Sequence, residues 1–182
     1  MNRQQLLHVL RAADSVAGRV PLLLIGSQAV LGAVESDNPM LARSMEADLA
    51  ALTDDPVLAD EVAFKISGVL GEGSSFNQTH GFYADGVEVH TAKLAPGWKD
   101  RTSTIEFDAY GETVIAMCLG PVDLAASKLL AGREKDLEFV DALLDEQIVD
   151  RADLRDLLEA CDPSPDTDRA MDWLKARLAA NP

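Results

Sequence analysis

Four short groups of residues in this chain have types and spacings that chemistry can use: Gly26-Ser27, Glu46-Ala47-Asp48, Lys128, and Arg133 to Asp136. Glu46 and Asp48 stand two apart in a stretch that reads as a strand. Side chains alternate along a strand, so both carboxylates point to one side while Ala47 and Leu49 point to the buried side. Paired oxygen donors suit a hard divalent cation, Mg²⁺ or Mn²⁺, that shares its remaining positions with phosphate oxygens. The expected chemistry is phosphoryl or nucleotidyl transfer, with Glu46 and Asp48 as metal ligands. Lys128 lies among the apolar residues Leu124, Ala125 and Leu129, where a bare ammonium needs an acidic or phosphate partner.

The elements that position these groups follow from the patterning. Val20 to Ile25 is a continuous apolar run, as expected of a strand buried on both faces, and it stops at Gly26. A glycine there permits a sharp turn and close approach of a phosphate. Ser27 adds a hydroxyl and an N-cap for a helix over residues 28–34, whose first N–H groups would face an anion. Taken singly, a Gly-Ser turn also occurs in α/β proteins that bind nothing, and a Glu-x-Asp pair is equally at home on a solvated edge strand. Their order, with one helix between them, favours the site.

Leu6, Leu7, Leu10, Ala13 and Val16 recur at helical spacing and predict a first helix ending near Gly18. Asp54-Asp55-Pro56 opens another that runs to about Gly71. Residues 35–39 read as a surface loop, and the glycine-rich, polar residues 71–81 as a long loop over the cleft. Short strands are expected at 81–84 and 87–90, around a turn at Asp85-Gly86, and at 103–109 and 113–118, around Gly111-Glu112. They would extend the sheet on the side of Glu88, which is the candidate third carboxylate and metal ligand. From Pro121 the pattern is helical, broken at Gly132 and at residues 162–166. The expected fold is α+β with an α/β-like core: a mixed sheet flanked by helices over residues 1–120, with a helical cap over 121–182.

A net charge of −15 and a pI near 4.4 repel bare nucleic acid and argue against a general nucleic-acid binder, while suiting a basic protein partner. A nucleotide site remains compatible, because Mg²⁺ offsets phosphate charge and Arg43, Lys128, Arg133 and Lys135 can form a local positive pocket. With 47% hydrophobic residues over 182 positions, the chain can bury a sizeable core. No apolar run approaches the 18 or so residues of a membrane span, and no signal peptide opens the chain, so a cytoplasmic protein is expected. Cys118 and Cys161 lack zinc-like spacing and read as free thiols; His80 and His90 read as ordinary histidines.

On Gly26-Ser27 and Glu46-x-Asp48 the chain resembles the nucleotidyltransferase superfamily. More closely it resembles the small bacterial abortive-infection toxins of the AbiEii type, through Arg43-Ser44-Met45-Glu46-Ala47-Asp48, the helix lysine Lys128, and the Arg133 to Asp136 element. The first acid is glutamate where that family more often has aspartate, a carboxylate displaced by about 1.5 Å. The resemblance implies a nucleotidyltransferase-type sheet and a Mg²⁺-dependent transfer of a nucleoside monophosphate from an NTP to a hydroxyl of an unknown acceptor. Glu46, Asp48, Lys128 and Asp136 would be catalytic, and Gly26, Ser27, Arg43, Lys128 and Arg133 would bind phosphate. The alternative is an inactive binding or regulatory module of the same fold, as in a toxin–antitoxin or phage-defence pair.

Overall fold

A computed structural model describes residues 1–34 and 38–180, so most of the loop expected at 35–39 lies outside the described residues. The chain opens with α1 (Arg3–Val16), started by a reciprocal cap in which the Asn2 side chain accepts from Gln5 N–H and the Gln5 side chain from Asn2 N–H. Its stripe of Leu6, Val9, Leu10 and Ala13 is buried. The apolar run forms β1 (Leu22–Leu24), with all three residues buried. A six-residue 3₁₀ helix, Ser27–Gly32, follows in place of the expected α-helix. Next come β2 (Glu46–Ala51) and α2 (Pro56–Leu70), the latter capped by Asp55, which accepts from Val57 and Leu58 N–H.

The segment read as a long loop contains α3 (Ser75–His80), capped by the Ser74 hydroxyl. It leads into β3 (Tyr83–Gly86). Two 3₁₀ turns, Val89–Thr91 and Trp98–Arg101, precede β4 (Ser103–Ala109) and β5 (Glu112–Cys118). Four helices complete the chain: α4 (Pro121–Ala131), α5 (Glu134–Asp145), α6 (Arg151–Glu159) and α7 (Pro165–Ala180). Among the described residues no helix is long and apolar enough to cross a membrane.

The sheet is mixed, in the order β3-β2-β1-β5-β4. β1 pairs antiparallel with β2 and parallel with β5; β2 and β3 run parallel. Three expectations are corrected here. Residues 87–90 do not form a strand, Asp85-Gly86 is the end of β3 rather than a turn, and β4 and β5 join beside β1, on the side away from Glu88. Gly86 misleads because its smallness serves packing: a Cβ there would lie 2.0 Å from the Ala63 carbonyl oxygen of α2. The β4–β5 turn falls one residue early, at Tyr110 and Gly111, whose φ values of 57° and 80° match the twist of a two-residue hairpin.

One buried cluster runs from Met1 to Leu174, through α1, the sheet and the helices after residue 120. Leu23, Ile25 and Ala50 point to the other face, against Val87, Val89, Ala92, Trp98 and Met117. β1 is thus covered on both sides, which is why its sequence is apolar without alternation. Cys118 is buried, and both cysteines are free.

The close approach at Gly86 yields a prediction. Gly86→Ala should push α2 from β3 at a cost of about 1–3 kcal/mol, or roughly 2–12 °C in Tm, measured by thermal unfolding. An unchanged Tm would show that the contact yields without cost.

Candidate functional site

The site is built where β1 ends. Ile25 N–H donates to the Asp48 carbonyl (3.1 Å), extending the β1–β2 ladder, and this brings Gly26 against the Asp48 side chain. A Cβ on Gly26 would stand 1.6 Å from Asp48 Oδ2. The carboxylate fills the space a side chain would need, so glycine is required here by contact; its φ of −81° is open to any residue. Ala47 and Leu49 are fully buried on the opposite face, as the alternation demands.

The β2–β3 register sets Tyr83 opposite Glu46 and Asp85 opposite Asp48. Asp85 therefore shares the face of the acidic pair, and its side chain is hydrogen-bonded to that of Glu46. Glu88 does not join them: its carboxylate lies 3.1 Å from His90 Nδ1, beyond the end of β3. Asp85 was missed because Asp85-Gly86 has turn composition. The signal that finds it is the alternation of buried Phe82 and Ala84 with half-buried Tyr83 and Asp85.

Burial and neighbouring carboxylates favour the neutral form of a carboxyl group. Burial, the charge of Asp48 and the hydrogen bond with Asp85 push Glu46 up to about 7, with Lys135 opposing. Burial raises Asp48, against the charge of Lys128. Burial and the neighbouring carboxylates, Glu46 foremost, also push the Tyr83 hydroxyl up to about 12.

Across from these acids, α4 and α5 carry the cations. Lys128 Nζ donates to Asp136 Oδ1 at 2.8 Å and lies 4.7 Å from the Phe139 ring centroid. The left-handed Gly132 (φ 68°) turns the chain so that these positions meet. Asp136 is 3% exposed. Arg133 Nε sits 2.9 Å from its Oδ2, an ion-pair contact at an angle that makes no hydrogen bond. The acidic partner that Lys128 requires is therefore a residue of the same element the sequence pointed to.

Arg43 reaches Glu138 on α5 at 3.2 Å, an exposed pair of small worth. Gln28, fully buried, donates to the Ser44 carbonyl (3.0 Å) and fixes the approach to β2; read as an ordinary helix residue, it gave no sequence signal. Lys93, also unforeseen, pairs with Asp166 and donates to the Leu130 carbonyl (3.1 Å), bridging the segment after β3 to the last helix.

These groups enclose a cleft of about 790 Å³, a size suited to a small ligand. Gly26, Ser27, Glu46 and Asp48 line one side, and Lys128, Arg133, Lys135 and Asp136 the other. Ser27 begins only the short 3₁₀ helix, so the α-helical N-terminus expected to face an anion is absent. Among the described residues no group of three or more His, Cys, Asp or Glu side chains is arranged as a ready-made metal site. The donor chemistry nonetheless fits a hard divalent cation: carboxylate oxygens gathered from β2 and β3, whose crowding a cation would relieve.

A family model described as a nucleotidyltransferase of unknown function (DUF6036) matches residues 4–174. No curated protein and no solved structure matches the chain.

The elevated Glu46 makes stability depend on pH. Between its ordinary value of 4.5 and about 7 the folded chain holds a proton that the unfolded chain has lost, so stability falls as pH rises through that window and stays lower above it. After solvent screening of a half-exposed group, Glu46→Gln should recover about 1 kcal/mol at pH 8, or roughly 2–4 °C in Tm. Thermal unfolding from pH 4.5 to 8 checks this; a difference from wild type that does not grow with pH contradicts it.

Proposed function

The chain belongs to this nucleotidyltransferase family, and from that premise we propose that it moves a nucleoside monophosphate from an NTP to a hydroxyl of an acceptor, with Mg²⁺ or Mn²⁺ as cofactor. The observation that carries the reading is the division of one cleft into an acidic side, Glu46 and Asp48 backed by Asp85, and a basic side formed by α4 and α5. A metal-bound triphosphate needs both: ligands for the cation and cations for the remaining phosphate charge.

Glu46, Asp48 and Asp85 would hold the metal, which when bound supplies charge neutralisation at the phosphates and orientation of the reacting phosphorus. Gly26 leaves room for Asp48 to turn toward the cleft, and Ser27 offers its hydroxyl to a phosphate oxygen. Arg43, paired with Glu138, and Arg133, paired with the buried Asp136, line the same cleft and would add positive charge near the phosphates. Asp136 holds the Lys128 ammonium at a fixed point over the cleft. Positioning and electrostatics of this kind account for most catalysis of phosphoryl transfer, so no single general base has to be assigned.

The finer resemblance, to AbiEii-type toxins, rests on the Arg43 to Asp48 string and on Lys128, Arg133 and Asp136. A second reading, a catalytically inactive module that docks a basic partner as half of a toxin–antitoxin or phage-defence pair, is favoured by the −15 charge. The acceptor would present a hydroxyl of a protein, an RNA or a small molecule.

Thermal unfolding with each of the four NTPs, with and without Mg²⁺, tests the reading on wild type and on Asp48→Ala. At 100 times its Kd a ligand adds about 2.7 kcal/mol, a rise of roughly 5–11 °C. A Mg²⁺-dependent rise that vanishes in the variant is expected. No rise with any nucleotide would reject the transferase reading in favour of the docking module.

A further inference from the structure

Five cations line the cleft: Arg43, Lys93, Lys128, Arg133 and Lys135. Four already have acidic partners. Arg43 is on Glu138, Lys93 on Asp166, and Lys128 and Arg133 are both on Asp136. Lys135, exposed in the first turn of α5, makes no hydrogen bond or ion pair among the described residues. In a chain with 31 acidic residues against 16 basic ones, an unpaired lysine calls for a physical cause.

The cause is that its neighbours are engaged elsewhere. Helix geometry makes Glu138, three residues on, the natural partner of Lys135, but Arg43 occupies it at 3.2 Å. Asp136, next in sequence, is turned into the protein and held between Lys128 and Arg133. Glu134 is one residue away and does not share its face. The ammonium is left toward the cleft, and its charge is felt at both Glu46 and Asp48 on the far side. A free ammonium meets an incoming anion without first breaking a pair, whereas Lys128 cannot leave Asp136 without stranding a buried carboxylate.

We propose that Lys135 is the residue that grips the phosphate chain of the nucleotide, and that Lys128 is a positioning residue locked onto Asp136. This rests on the nucleotidyltransferase reading and goes one step past it, by separating the cation that touches substrate from the one that holds the α4–α5 corner. Arg43 takes part indirectly, by keeping Glu138 away from Lys135.

Calorimetric titration of inorganic tripolyphosphate with Mg²⁺, alongside the four NTPs, tests the assignment on wild type, Lys135→Met, Lys135→Arg and Lys175→Met, the last an exposed lysine of α7 outside the cleft. Lys135→Met should weaken tripolyphosphate about tenfold or more, Lys135→Arg should restore most of it, and Lys175→Met should leave it unchanged. The ligand-free Tm of Lys135→Met should stay close to the wild-type value, since no hydrogen bond or ion pair is lost, while Lys128→Met should lower it by several degrees. Binding by Lys135→Met within twofold of wild type, or an equal loss in Lys175→Met, overturns the inference and leaves the transferase reading standing. Wild-type protein that binds neither tripolyphosphate nor any NTP overturns both.

Discussion

The β1–β2 ladder is the constraint on which the site depends. Its antiparallel register, Leu22 to Ala51 through Leu24 to Leu49, carries Gly26 past the end of β1 to a point where Asp48 Oδ2 occupies the volume of a missing side chain. With a larger residue at 26, Asp48 would have to leave or the strands would have to slip. A one-residue slip would turn Glu46 and Asp48 into the core and Ala47 and Leu49 out of it. The burial of those two apolar side chains thus locks the carboxylates toward the cleft. The β2–β3 pairing then adds Asp85 at the same level as Asp48.

Charge is distributed around the cleft by two opposite solutions to burial. On the sheet, Glu46 and Asp48 lie beside Asp85, and burial, against the pull of the cations across the cleft, raises both Glu46 and Asp48. On the helices, Asp136 is more deeply buried, yet Lys128 and Arg133 contact both of its oxygens. The first arrangement is unstable in its charged form and gains from a cation. The second is complete in itself and works as a hinge pin between α4 and α5. A function that needs a metal and a fixed positive wall would be served by that asymmetry.

Much of the fold was legible because local and tertiary demands agree. The stripe of α1, the Asp55 cap and proline of α2, the unbroken apolar run of β1, and the break at Gly132 each have one physical solution in water. Legibility failed where a residue type serves a distant contact. Gly86 and Asp85 have turn chemistry, but Gly86 is small because Ala63 of α2 presses on it, so strand residues carry a turn's composition while Glu88 lies past the strand end beside His90. The sheet edge that receives β4 and β5 was equally hidden, since a parallel β1–β5 contact joins residues almost a hundred positions apart.

The sequence by itself determined the chemical inventory: paired acids at spacing two, a glycine before them, a lysine that needed a buried partner, and the basic element that provides one. Period and composition are local properties, and these features are written in them. Only the tertiary structure decided which acids share a face, which cations remain free and which are committed to pairs. Those outcomes depend on register between strands, on the approach of one helix to one glycine, and on competition among side chains for the same counter-ion, none of which a linear spacing encodes.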